Sequence, residues 1–236
     1  MIKIISCPSP NFENRKDKIS FLILHATATR NLEHTFSFLI HSQKPKRVSA
    51  HYVIDRNGLI YRLVDDDKRA FHAGLSNWKG YGRKTGRNSL NDASIGIEFQ
   101  CAVHEGELQG FTKKQINAGL ELCRLLMEKH KIEPKNVLAH SDVAPNRRKD
   151  PGLHFPWRIF GKAGIGLWTD RTAPKSRGLL SLPLDKILSD IGYPMNYGKE
   201  INIIAFKRHF MPHAKPDASV TKRILKKATA LLEASR

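Results

Sequence analysis

No stretch of this 236-residue chain approaches the ~20 consecutive apolar residues of a membrane-spanning helix. Its opening residues, MIKIISCPSPNFENRKDK, lack the roughly 7–15-residue apolar segment of a secretory signal, so a cytoplasmic location is the expectation, with periplasmic or exported action as the alternative. Cysteine is scarce. Cys7, Cys101 and Cys123 are an odd number without a CxxC pair, which excludes a disulfide framework and a thiolate zinc knot. Internal repeats and low-complexity tracts are absent, so repeat architectures are excluded. Acidic residues are in deficit: 22 Asp+Glu against 40 Lys+Arg give a formal charge of +18. Such a chain associates readily with polyanions. Nucleic acid is the first partner to weigh, but there is no long basic arm and no RRM or zinc-finger pattern, so no specific nucleic-acid partner is expected. An acidic polymer of another kind fits the charge equally well.

What is present is the pattern of a globular α/β chain. Residues 19–25, ISFLILH, read as a buried central strand ending on His25, followed by the small polar stretch ATAT. Asn31 to Ser42 has helical spacing with Asn31 as N-cap. Residues 50–64 read as a β-hairpin, with Asn57-Gly58 signalling a type I′ turn. Residues 76–93 form a long polar loop holding Trp78 and Tyr81. SIGIEFQ at 94–100 is a second strand, with Ile95, Ile97 and Phe99 on one face and Gly96 and Glu98 on the other. Thr112 to His130 is a helix with capping-box spacing between Thr112 and Gln115. Asn136–Ala139 is a short strand that delivers His140. This alternation predicts an α/β fold with a mixed central sheet flanked by helices. Around 168–180 the chain turns polar and breaker-rich, a linker. Helical patterns follow at 183–191, 199–210 and 217–235. The expected organisation is therefore one domain over 1–178 and a small helical domain over 179–236, which is too short to bury much surface alone and so packs on the first.

The stretch AHSDVAPNRRKDPG, residues 139–152, sets His140 and Asp150 at the ends of a proline-broken loop, with Arg147, Arg148 and Lys149 just before the carboxylate. Imidazole and carboxylate suit a borderline metal such as zinc, and a hydrolytic zinc site needs three protein ligands with a fourth position free for water. His25, His140 and Asp150 are the best candidates, with His51 close behind His25. Glu98 sits on the non-apolar face of a strand otherwise built for burial. A carboxylate there is costly unless paired or facing a cleft. A cleft would raise its pKa towards that of a general base, whereas pairing with an arginine is the equal structural alternative.

HATAT at 25–29, VSAHYVIDRNG at 48–58, DDKRAFHAG at 66–74, NDASIGIEFQ at 91–100, the 139–152 run and LHFPWRIFGKAGIG at 153–166 together resemble the zinc-dependent N-acetylmuramoyl-L-alanine amidases, the type 2 amidase family, in their AmpD- and AmiD-type branches. The region AFKRHFMPHAK and the amphipathic helix after it resemble the small peptidoglycan-binding appendage of AmiD-type enzymes. The resemblance implies the fold shared with peptidoglycan-recognition proteins. It implies Zn2+ held by His25, His140 and Asp150, with Glu98 as catalytic glutamate. It implies hydrolysis of the amide between N-acetylmuramic acid, or its 1,6-anhydro form, and L-alanine in peptidoglycan or muropeptides. His51 falls at most on the cleft wall. His72 and Trp78 fall in stretches that line the substrate groove. The family's lysine, eight residues after the second histidine, is Arg148 here, followed by Lys149. Arginine keeps the charge but is bulkier and aimed differently, so either residue could hold the oxyanion. Asp142 is a candidate to orient a ligand histidine, with an exposed loop aspartate as the equal alternative. The alternative function is a non-catalytic peptidoglycan-recognition module. Oligomeric state is not readable from the sequence.

Overall fold

A computed structural model describes residues 2–42, 47–81, 89–175 and 181–236. Its strands are β1 (Ile4–Ser6), β2 (Phe12–Asn14), β3 (Phe21–Ala26), β4 (Tyr52–Ile54), β5 (Ile60–Arg62), β6 (Lys68–Ala70), β7 (Ser94–Phe99), β8 (Val103–His104), β9 (Glu107–Leu108) and β10 (Val137–Ala139). Its helices are α1 (Leu32–Leu39), α2 (Lys113–His130), α3 (His140–Val143), α4 (Trp157–Lys162), α5 (Leu184–Ile191), α6 (Lys199–Phe210) and α7 (Lys222–Ala234). Six strands build the central sheet in the order β1-β5-β4-β7-β3-β10, while β2–β6 and β8–β9 form separate pairs. β4, β7, β3 and β10 run parallel, and β5 is antiparallel to β4. The sheet is mixed, as the alternation of elements predicts.

Every residue of β3 is buried because both faces of the strand are covered. Leu22 and Leu24 share a core with Ile95, Ile97 and Phe99 of β7 and with Leu122, Cys123 and Leu126 of α2. Phe21 and Ile23 turn the other way, into a core that includes Ile187, Leu188, Phe206 and Leu231 of α5–α7. Each such aliphatic side chain contributes about 1.5–3 kcal/mol on burial. Residues 181–236 thus complete one layer of the sandwich instead of closing a core of their own. The boundary expected at 178/179 lies outside the described residues, and the described part of the linker is tied back by an ion pair between Arg171 and Glu233.

Local signals set the start of several helices. Asn31 caps α1 by accepting from the His34 backbone N–H at 2.9 Å. Thr112 and Gln115 form both bonds of the capping box at α2. The hairpin differs from its expected turn. β4 and β5 pair in antiparallel fashion, but the connection spans 55–59, and Asp55 Oδ1 accepts from the backbone N–H of Asn57 and Leu59 at 2.9 and 2.8 Å. Gly58 alone takes positive φ, +82°, so the two left-handed residues of a type I′ turn are not formed. The aspartate side chain outcompetes the dipeptide signal.

Candidate metal centre

Strand register assembles the site. His25 of β3 pairs with Glu98 of β7, and Ala139 of β10 pairs with Leu24, which brings His140 level with His25. Three side chains from adjacent parallel strands therefore meet at the carboxyl edge of the sheet, where α/β folds open their clefts. Asp150 joins them because the Ser141 backbone N–H donates to the Asp150 carbonyl at 2.9 Å, closing the 144–150 loop back on the start of α3.

His25 Nδ1 lies 2.9 Å from His140 Nδ1 and 3.2 Å from Asp150 Oδ2, and His140 Nδ1 lies 3.0 Å from the same oxygen. Those edges approach the roughly 3.3–3.5 Å separations expected around a tetrahedral ion with ~2.0–2.2 Å bonds. The outward nitrogens are committed: His140 Nε2 donates to the Ala73 carbonyl at 3.2 Å, and His25 Nε2 meets His72 Nδ1 at 3.0 Å. The carbonyl fixes the His140 tautomer, so its Nδ1 lone pair faces His25 Nδ1 and the Asp150 carboxylate, a donor set that suits a cation. Among the described residues this is the one His/Cys/Asp/Glu cluster with such geometry.

Electrostatics agree with a metal-accepting set. Burial, reinforced by His140, holds the His25 imidazole down to about 4 against the pull of Asp150. Burial also pushes His72 well below the usual histidine range, with His25 and His51 adding to the effect. For Asp150 burial acts upward, but attraction and hydrogen bonding from His140 and His25 overturn it and keep the carboxyl well below the usual carboxylate range. Glu98 behaves oppositely. Burial lifts it to about 8, the Asp150 charge adds to the rise, and Arg148 opposes it. Its Oε2 is buried without a hydrogen-bond partner.

A cleft of about 560 Å³ opens over these residues, walled in part by Thr27, Phe38, Arg148 and Lys149. The structure separates the remaining candidates. His51 is fully buried: Nδ1 accepts from the Gly96 backbone N–H at 3.0 Å and Nε2 lies 3.1 Å from the Lys68 carbonyl, so it braces strands and does not reach the cleft wall. Trp78 is buried in the α5–α7 core against Tyr193, with ring centroids 5.0 Å apart, because its indole supplies apolar area there; it is not a groove residue. His72 is among the residues that line the cleft, beside His25, though at 7% exposure little of its ring is open to a ligand. Asp142 does not touch the His140 ring: it accepts from the Ala139 backbone N–H at 2.8 Å and shapes the turn that carries His140. Sequence reasoning missed Arg147, whose guanidinium reaches the carbonyls of Ala73 and Leu75 and locks the 73–75 segment against the 144–150 loop. A second cavity, about 440 Å³ between α4 and the α6–α7 end, is lined by Trp157, Trp168 and Phe210 and holds no comparable donor set.

Comparison with known proteins decides the family. The model of Amidase_2, N-acetylmuramoyl-L-alanine amidase, matches residues 15–153. This chain belongs to the Amidase_2 family. The amidase is 33% identical over 221 residues to the N-acetylmuramoyl-L-alanine amidase AmiD of Escherichia coli, covering 83% of this chain and 76% of AmiD. It is 39% identical over 115 residues to the 1,6-anhydro-N-acetylmuramyl-L-alanine amidase AmpD of Haemophilus influenzae, covering 48% of this chain and 57% of AmpD. The solved complex of E. coli AmiD with anhydro-N-acetylmuramic acid-L-Ala-D-gamma-Glu-L-Lys superposes with a TM-score of 0.73 at 30% identity, covering 92% and 90% of the two chains. AmpDh3 of Pseudomonas aeruginosa, in complex with anhydromuramic pentapeptide, gives 0.76 at 27% identity, covering 96% and 94%. The mixed α/β fold of the amidase is that of these enzymes, and among its described residues no helix is long and apolar enough to cross a membrane.

Proposed function

We propose that this amidase hydrolyses the amide bond between N-acetylmuramic acid, or its 1,6-anhydro form, and L-alanine, with Zn2+ held by His25, His140 and Asp150. The observation that carries the proposal is the triangle of donor atoms at 2.9, 3.0 and 3.2 Å beside a buried, unpartnered glutamate. Two neutral imidazoles and one carboxylate are a zinc donor set with a coordination position left for water. Zinc supplies a water of lowered pKa and a polarised carbonyl.

The chain's own residues do the rest. Glu98, which lines the cleft beside His25, takes the proton of the attacking water and returns it to the departing L-alanine amine. Its unbonded Oε2 is free for that exchange. Arg148 is favoured over Lys149 as the cation that steadies the oxyanion, because its charge acts on both His25 and Glu98. The basic wall of Arg147, Arg148 and Lys149 suits the carboxylates of a stem peptide. Residues 1–178 are read as the catalytic domain and 179–236 as a helical appendage whose peptidoglycan-binding role follows from the resemblance alone. Cytoplasmic action on muropeptides belongs to the same reading.

The test is to measure zinc content and to follow products by mass spectrometry from anhydro-muropeptides and from intact sacculi, before and after chelation. One zinc per chain and chelator-sensitive release of peptide from the sugar support the proposal. Muropeptide binding without turnover in the zinc-loaded protein would establish the recognition-module reading in its place.

A further inference from the structure

The hydrolytic chemistry leaves His72 without a role, yet the ring is held closely in place. The strand beneath it is shaped to admit it: a Cβ on Gly96 would lie 2.4 Å from His72 Cγ, so β7 carries glycine where the imidazole crosses. The ring is fastened at both nitrogens. Nδ1 lies 3.0 Å from His25 Nε2, and Nε2 lies 3.2 Å from Ser94 Oγ. Ser94 is itself fully buried, and its hydroxyl donates to the Leu90 carbonyl at 2.7 Å.

Proton placement follows in order along this line. A carbonyl only accepts, so the Ser94 proton points to Leu90 and the Ser94 oxygen accepts from His72 Nε2–H. A neutral imidazole carries one proton, which leaves His72 Nδ1 as an acceptor. His25 Nε2–H then donates to it, and His25 Nδ1 is left bare towards His140 Nδ1 and Asp150 Oδ2. We propose that Ser94 and His72 are positioning residues that fix His25 in the Nε2-protonated tautomer, the form whose Nδ1 can bind the metal. The inference rests on the metal-site reading above. A carboxylate or a backbone carbonyl can only accept and so fixes a ligand histidine unaided. An imidazole can do either, and here Ser94 removes the choice. Reversing the relay would put a proton on His25 Nδ1, pointing at Asp150, and close the site to a cation.

The test uses the full chain labelled with 15N-histidine, with zinc affinity read by chelator competition and the tautomer of His25 read by NMR in the metal-free protein. Wild type should show His25 protonated at Nε2, and His140→Ala should abolish stoichiometric zinc binding. His72→Phe and Ser94→Ala should weaken zinc ~10–100-fold, the usual loss for a group supporting a metal ligand. They should also leave His25 a mixture of tautomers, a signature that a purely packing role would not produce. His72→Gln, which returns an acceptor carbonyl, should recover part of the affinity. An unchanged His25 tautomer and unchanged zinc affinity in both His72→Phe and Ser94→Ala would overturn the relay. Should His72→Phe fail to fold, Ser94→Ala, which removes a single oxygen, decides alone. Wild-type protein that bound no zinc would defeat the metal-site reading instead, and the tautomers of the metal-free variants would still judge the relay.

Discussion

His209 Nδ1 donates to Asp142 Oδ2 at 2.7 Å, joining α6 to the turn that presents His140. Tyr193 secures the other oxygen through its hydroxyl at 2.8 Å. The pair is sealed from water, with Asp142 1% and His209 2% exposed, and His209 is stacked between Trp157 and Phe210 with centroids 3.8 and 3.9 Å away. Removing a buried acceptor leaves its donors unpaired, which typically costs ~1–3 kcal/mol for each. Asp142→Ala should therefore lower stability by about that amount per unpaired donor, and Tyr193→Phe, which deletes one bond to a charged acceptor, by ~1.5–3 kcal/mol. Urea unfolding of both variants checks this. A loss under 1 kcal/mol for Asp142→Ala would mean that the clasp does not hold the appendage.

Glu98→Gln should keep stoichiometric zinc and lose ~10²–10⁴-fold in kcat, the usual contribution of a positioned acid–base group. Glutamine preserves the shape of the side chain but cannot take a proton. Steady-state kinetics on an anhydro-muropeptide, with metal analysis of the same sample, is the measurement. Near-normal turnover would remove Glu98 from the mechanism.

Arg148 and Lys149 should separate cleanly. Arg148→Ala is expected to cost ~10²–10³-fold in kcat, the scale of losing one oxyanion-stabilising group. Lys149→Ala should change kcat only slightly and raise KM at most. The opposite ranking in a kcat/KM comparison would transfer the oxyanion role to the lysine.

Asp66 gives the fold an acid-labile clamp remote from the cleft. Burial acts to raise its carboxyl, but hydrogen bonds from Lys129, Tyr52 and His130 at 2.7, 2.6 and 2.8 Å overcome this and lower it from 3.8 to about 2. The folded pKa is depressed, so the stabilisation is fully present above pH ~4 and is lost as pH falls towards 2. The shift corresponds to about 2 kcal/mol. Asp66→Asn should lose most of this at pH 7 and show a flatter decline in stability below pH 4 than wild type, as read by chemical denaturation at stepped pH.

Much of this architecture is written locally in the chain. The apolar run ending at His25, the alternation of Ile95, Ile97 and Phe99, the Asn31 cap and the Thr112–Gln115 box each specify their element through neighbouring residues alone. The parallel register of β3 against β7, which sets His25 beside Glu98, is a pairing across 73 positions and leaves no trace in local periodicity. The roles of His72 and Trp78 went unseen for a similar reason. Both lie in stretches with groove-like composition, and only tertiary packing decides which of their side chains turn inward. Gly96 was the available clue, since a glycine inside a strand marks a close approach. The Asn57-Gly58 signal failed because Asp55, two residues earlier, offered the backbone a stronger acceptor.

The donor atoms at the cleft ride on β3 and on the residue that follows β10, strands laced together by backbone hydrogen bonds, with the Asp150 loop pinned to the same frame through Ser141. Small zinc-nucleated modules collapse when stripped of their ion. Here the scaffold is already paid for by two hydrophobic layers, so an emptied centre would keep its shape and refill without refolding. On the proposed zinc chemistry, metal supply then sets how many copies are active while the number of folded copies stays constant.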